Sequence, residues 1–461
     1  MIFDYIIMKT INTIILLFFT TFSITTGVCD EGHMQRKTLS YLQSHARKGD
    51  VDSQVELSLR YGKGDGVEQD YKKAFEWAMK AAKQGSAKGQ FTVAGCYIQG
   101  KGVRESKALA AEWMEKAASQ GHPEAIKGMA YFYRQGIGVP PNPELAAKWY
   151  LKAAEQGDRD AQFTVAVFYH EGEGVPRDLT AAHHWISEAA RQGDARAQYY
   201  LCEMLLKGEG CAQDIPTARE WAEKAVQQGH PSAQNTLGYM LQHGMGGSVD
   251  LPKARILYEN AMARGNYDAM TNLGTMYMNG EGVPQDIDKA IALFTKAAEA
   301  GESYAQHNLG VIYRRGYGKK IDFEKARAWF EKAAAQKHAG AEFELGNMYQ
   351  RGEGVPPNLS EAKFWFKQAI EHGLVLAMNN LGQLYAEEGD SEKALSIYHQ
   401  AAELNDAMAM ANIGFAYLKG KGVAIDIQKA REWINKAEEH GYSVPSNVKA
   451  ELEAAEKESK K

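Results

Sequence analysis

All eight tryptophans of this chain fall at one position of a repeating unit: Trp77, Trp113, Trp149, Trp185, Trp221, Trp329, Trp365 and Trp433. A Gly-x-Gly turn precedes each of them. Its second glycine recurs at residues 66, 102, 138, 174, 210, 246, 282, 318 and 354, a step of 36, and for the last time at 422. Units without tryptophan hold Leu257, Leu293 or Ile397 at that position. Such a register confines the chain to an array of like units, each burying its apolar face against its neighbours.

The unit opens at a glycine: 49, 85, 121, 157, 193, 229, 265, 301, 373 and 441, with Lys337 and Asn405 standing in twice. Glycine suits the residue just past a helix end, where a left-handed backbone is wanted. Asn405 tolerates that conformation. Lys337 is expected to be strained or to use another turn. Counting from this junction residue, small or apolar residues recur at positions 4, 8 and 9, and an aromatic usually sits at 12, as in Tyr97, Tyr133 and Tyr169. That spacing marks a first helix. After the Gly-x-Gly turn comes a capping residue: Asp70, Ser106, Asn142, Asp178, Asp214, Asp250, Asp286, Asp322, Asn358, Asp390 or Asp426. Its side-chain oxygen can satisfy an orphan N–H at a helix start. A second helix then carries the tryptophan and runs to the next junction.

Each unit is therefore a helical hairpin, and eleven of them fill residues 49–441. Residues 29–48 read as a linker and a capping helix, and residues 442–461 as a C-terminal capping helix with a polar tail. Two copies depart from the pattern. The hairpin after Gly229 turns through Gly-Met-Gly-Gly-Ser, and the tenth is four residues short and lacks the Gly-x-Gly turn.

Residues 1–28 differ in composition. Lys9 precedes the apolar run Ile11 to Phe22, and small polar residues follow, the layout of a secretory signal peptide. The run is shorter than the roughly 20 residues that a membrane span needs. The reading is an exported chain, at the cell surface, secreted or periplasmic, without a transmembrane span once mature. Met8 is an alternative start. Cys29 raises lipidation, although Val28 is larger than the residue a lipobox places there. The net charge of −5 gives no basic footprint for nucleic acid. Four cysteines are too few for a disulfide scaffold, but Cys202 and Cys211 lie in one unit and could pair in an oxidising compartment.

The pattern AQxxLGxxYxxGxGVxxDxxKAxxWxxKAAxxG resembles the Sel1-like repeat, a relative of the tetratricopeptide repeat. The stretch Gly280 to Asp286, with Lys289-Ala290 and Lys296 to Ala298, shows it well. The resemblance implies an all-α fold, a right-handed α-solenoid superhelix of about eleven hairpins, acting as a scaffold for other proteins. The unit count and the leader are similar to those of exported members that recognise secretory immunoglobulin A. The resemblance thus implies that antibody as partner, for a monomeric, non-catalytic binder without cofactor or metal. A periplasmic adaptor of the cell's own envelope proteins is the alternative.

Catalytic motifs are weak. The Gly-x-Gly turns lack the Gly-Lys-Ser/Thr of a phosphate loop. His170-Glu171 lacks the second histidine of a zinc protease. Ser360-x-x-Lys363 and Ser446-x-x-Lys449 lack the partner motifs that β-lactam chemistry needs. The 100° step per residue instead points positions 6, 10 and 13 of the first helix away from its core side. Tyr131, Arg134, Phe163, Tyr199, Tyr239, His307, Arg314 and Phe343 lie there. Aromatic residues and arginine are the residue types of binding hot spots. Packing against the neighbouring hairpin is the competing reading, above all for position 6. Tyr131, Arg134, Tyr239 and Arg314 carry polar ends that favour the binding reading.

Overall fold

The capping residues act where their spacing places them. In the computed structural model, which describes residues 38–459, Asp70 accepts from the Lys73 N–H, Asn142 from Leu145 and Asp286 from Lys289, each at 2.9 Å. The other second helices begin in the same way. Each such cap is worth about 1 kcal/mol. The signal-peptide and lipidation expectations, and the linker to residue 37, lie outside the described residues.

Twenty-four helices, from α1 (Leu39–Arg47) to α24 (Ser446–Ser459), follow one another among the described residues, which hold no strand. The fold is all-α, and α1 and α24 flank eleven hairpins. The chain divides into two compact units, one ending at His230 and one beginning at Pro231. Within each unit, every helix packs on the next in chain order. Most first helices close on a left-handed glycine, such as Gly64 at φ 74°. The junction carries a second left-handed residue, and there Lys337 (φ 63°) and Asn405 (φ 62°) take the backbone that glycine takes elsewhere. Lys337 thus keeps the common turn and bears the strain. The tenth hairpin joins α20 (Leu376–Glu387) to α21 (Ser391–Glu403) through a tight turn in which the Asp390 N–H reaches the Tyr385 carbonyl at 2.9 Å.

The tryptophans are not the deepest residues of the core. All eight are only half-buried. The next position is the one sealed from water: Phe330 and Phe366, after Trp329 and Trp365, are fully buried, as are Tyr258 and Phe294 after Leu257 and Leu293. The exposed tryptophan face receives a lysine one turn later, as in Lys224 over Trp221 at 3.8 Å and Lys80 over Trp77 at 4.0 Å. A cation over an aromatic face is attracted by the ring quadrupole while its stem covers the ring edge. Cys202 and Cys211 are both free. Burial raises the Cys202 thiol well above its usual range, so it behaves as a small apolar residue. No described helix is long and apolar enough to cross a membrane.

Candidate protein-binding face

The face proposed from the sequence divides into residues that join hairpins and residues that do not. Position 6 meets position 1 of the next hairpin, and in several copies the chemistry of the two matches. Aromatics meet imidazoles: Phe91 stacks on His122 at 4.7 Å, Tyr199 on His230 at 4.9 Å and His307 on His338 at 4.8 Å. Elsewhere the pair is polar: Lys127 binds Asp158 at 2.7 Å, Thr271 donates to Glu302 at 2.7 Å and Asn379 to Asp406 at 3.0 Å. Burial lowers the pKa of all four stacked imidazoles. His230 and His307 are lowered to about 4.

Position 13 behaves likewise. It meets the residue between the two glycines of the following hairpin's turn. Arg134 binds Glu173 at 3.1 Å, His170 reaches Glu209 at 3.4 Å, Gln242 donates to Glu281 at 2.6 Å and Arg314 binds Glu353 at 2.6 Å. At Ile98 position 13 is apolar and so is the turn residue Ile137, and the two pack on one cluster. A third ladder runs through position 5. Gln54 donates to the Ala46 carbonyl behind it at 3.0 Å and accepts from Gln84 ahead of it at 2.8 Å. Gln90, Gln162, Gln198 and Gln306 repeat both bonds. A buried amide with both ends satisfied fixes register as well as adding stability.

These ladders account for most of the eight residues selected from the sequence. Phe163 is buried, its ring covered by the Arg196 guanidinium at 4.5 Å, which in turn binds Asp160 and Asp194. Tyr199 and His307 stand in the stacks described above. Phe343 packs on Phe366 at 5.7 Å between ring centroids. Arg134 lies over Phe168 at 5.2 Å while binding Glu173. Arg314 is enclosed by Glu353 and Glu344. Its polar end therefore finds its partners inside the stack rather than on an exposed face. Tyr131 and Tyr239 occupy position 10, where Asn347 of another hairpin accepts from Asn380 at 3.0 Å. Tyr131 is half-buried and its hydroxyl pKa is raised by that burial. Tyr239 is 46% exposed, its ring 4.3 Å from that of His243.

The serine-lysine pairs are placed without the neighbours that chemistry would need. Lys363 is held by Glu388 at 2.7 and 2.8 Å, and Lys449 pairs with Glu438. Among the described residues no group of three metal-ligating side chains converges. His170 instead lies between Glu171 at 2.7 Å and Glu209 at 3.4 Å. The ladders were open to detection in the sequence, because residues 31 and 39 apart covary in kind within the chain itself.

An array of capped hairpins with in-register ladders defines a helical repeat scaffold. The sequence pattern of the Sel1 repeat matches eleven segments between residues 51 and 442. The chain belongs to the Sel1 repeat family, whose fold is suited to protein–protein interaction. A protective antigen of uropathogenic Escherichia coli strains, displaying an SLR fold, is 29% identical. The likeness covers 91% of this chain and 93% of that one, with a TM-score of 0.62. A Sel1 repeat protein from Oxalobacter formigenes is also 29% identical, over 72% of this chain and 99% of that one, with a TM-score of 0.51. An F-box protein of Arabidopsis thaliana is 39% identical over 70 residues, 15% of this chain, and the match spans only 19% of that relative's length.

Proposed function

We propose that this chain is an exported, non-catalytic scaffold that binds a partner protein across position 10 of its first helices, and that the partner is host secretory immunoglobulin A. The observation that carries the reading is the contrast between positions. Residues at 6 and 13 are largely taken up between hairpins, whereas position 10 changes from copy to copy, through Tyr131, Val167, Tyr239, Thr275 and Phe415. A face that varies while its frame is constant is where a repeat scaffold holds specificity. Tyrosine anchors suit such a face, since one end of the ring is apolar and the other polar. The leader-like segment supports export. The 29% identity to a protective antigen, over nearly the whole length of both chains, supports a host-directed role.

The test is binding of purified secretory immunoglobulin A to the immobilised chain, followed by biolayer interferometry. Saturable binding is expected, weakened about tenfold, or about 1.4 kcal/mol, by Tyr239→Ala or Tyr131→Ala. Absence of immunoglobulin binding by a folded chain would remove the host-directed reading in favour of a periplasmic adaptor.

A further inference from the structure

One junction between hairpins repeats a cation clamp without the cation that its sister junctions supply. The clamp joins position 3 of one hairpin to position 1 of the next. Three junctions carry a carboxylate at both: Glu124 with Asp158, Asp160 with Asp194, and Asp268 with Glu302. The first two hold a cation of the chain itself. Lys127 binds Asp158 at 2.7 Å. Arg196 spans the second pair, reaching Asp160 at 2.7 Å and Asp194 at 3.0 Å, with its guanidinium 4.5 Å from the Phe163 ring. At the third junction Thr271 stands where Lys127 stands, and Tyr304 where Arg196 stands.

The two acids of that junction differ in what they already hold. Asp268, in the first turn of α14 (Tyr267–Asn279), makes no side-chain hydrogen bond or ion pair among the described residues. Burial, and then the charge of Glu302, raise its carboxyl above the usual carboxylate range. Glu302 caps α16 (Ser303–Arg315), accepting from the Tyr304 and Ala305 N–H groups and from the Thr271 hydroxyl. Such bonds do not exclude a cation. Asp194 accepts from the Arg196 and Ala197 N–H groups in the same way and still takes the Arg196 guanidinium, because a carboxylate has about four lone-pair sites. Beside the acids stands the Tyr304 ring, 66% exposed, which meets the His338 ring edge to face at 4.6 Å between centroids. The hairpin that follows has Gly340 at position 3, so no side chain from that position covers the tyrosine.

We propose that the Asp268–Glu302 clamp receives an arginine side chain of the bound protein. The inference rests on the scaffold reading above and gives that reading a second anchor. Position 3 lies two turns before position 10 on the same face of the helix, since seven residues turn through about 700°. The guanidinium spans Asp268 and Glu302 as Arg196 spans Asp160 and Asp194, and Tyr304 supplies the ring that Phe163 supplies there. A planar head that binds carboxylates through several N–H donors and stacks on a ring favours arginine over lysine.

The probe is N-acetyl-arginine amide, titrated into the full chain carrying labelled backbone amides, with the lysine amide and the uncharged citrulline amide beside it. Saturable shifts of the Ala305 N–H and its neighbours are expected with arginine in the ~millimolar range that a lone side chain allows. The citrulline amide should bind at least about tenfold more weakly, and the lysine amide about threefold more weakly. Asp268→Asn keeps the shape of the site and should weaken binding about tenfold. Tyr304→Arg fills the clamp from within the chain, as Arg196 does, and should abolish the shifts. It should also raise the melting temperature by about 1–3 °C, a gain that adding Asp268→Asn cancels. The same melts establish that the variants are folded. The proposal is overturned if arginine produces no shift, if citrulline or lysine matches it, or if the shifts survive Tyr304→Arg in a folded chain. Immunoglobulin binding measured on the same samples separates the two claims. Its persistence without arginine shifts removes the clamp alone, and its absence with arginine shifts removes the partner assignment alone.

Discussion

The hairpins before and after residue 230 make the same helix contact in two ways. In the first unit position 9 holds Ser58, Ala94, Ala130, Ala166 and Cys202, and position 29 holds Ala78, Met114, Tyr150, Ile186 and Ala222. In the second unit position 9 is glycine in all six hairpins, and position 29 is Tyr258, Phe294, Phe330, Phe366, Tyr398 or Ile434. The exchange is one of shape. A Cβ added to Gly274 would lie 2.7 Å from the Phe294 ring, and one added to Gly238 would lie 2.8 Å from Tyr258. The first unit places bulk elsewhere, on the first helix, at the buried Phe132 and Phe168. The second unit thus repeats one knob and one hole six times. The first varies the contact from copy to copy.

The largest expected effect of a substitution lies at the repeated knob. Phe294→Ala should cost about 3–5 kcal/mol of local stability, since a fully buried ring leaves a cavity that rigid helices cannot close. Gly274→Ala should cost about 1–3 kcal/mol through overpacking, although alanine is the better helix former. The reverse change in the first unit, Ala166→Gly, should cost only about 1 kcal/mol. Hydrogen exchange resolved by helix measures all three. If Gly274→Ala stabilised its hairpin, the contrast between the units would fail.

A smaller effect follows from the stacked imidazoles. In the folded chain burial holds His230 and His307 at about 4, below the ordinary value near 6.5, and lowers His122 and His338 in the same direction. The unfolded chain therefore binds more protons between those pH values. The stability these residues contribute is present above pH ~6.5 and is lost as pH falls towards ~4. The second unit should lose more at its one such junction than the first, because His307 and His338 stack on each other and would both become cationic. In the first unit, Phe91 and Tyr199 bring no second charge. His307→Phe should remove most of the loss at that junction. Equal acid sensitivity of wild type and variant in denaturant titrations would contradict the role given to the stack.

The hairpins, their caps and the family were legible in the sequence, because period, turn and capping chemistry are local signals repeated eleven times. The ranking of the core was less so. Tryptophan draws the eye by its register, yet Phe330 and Phe366, one residue further on, are the side chains sealed from water. Tryptophan is too large to be enclosed by two helices, and its lysine partner shows that one face is left open. The contacts of the candidate face were less legible for a related reason. Helical spacing puts Arg314 and Tyr239 on one side of their helices, but it does not say that the next hairpin supplies Glu353 to one and no ladder partner to the other. That answer lay in covariation between residues 31 and 39 apart, a longer range than amphipathic spacing reads.

The central claim is that positions 6 and 13 hold the array together while position 10 faces the partner. Denaturant unfolding of Arg314→Ala beside Tyr239→Ala tests it most directly. Arg314 is enclosed by two glutamates, so its removal should cost about 2–4 kcal/mol and open the hairpin that follows. Tyr239→Ala should change stability by less than about 0.5 kcal/mol. A Tyr239 variant as destabilised as the Arg314 variant, or an Arg314 variant as stable as wild type, would contradict the division.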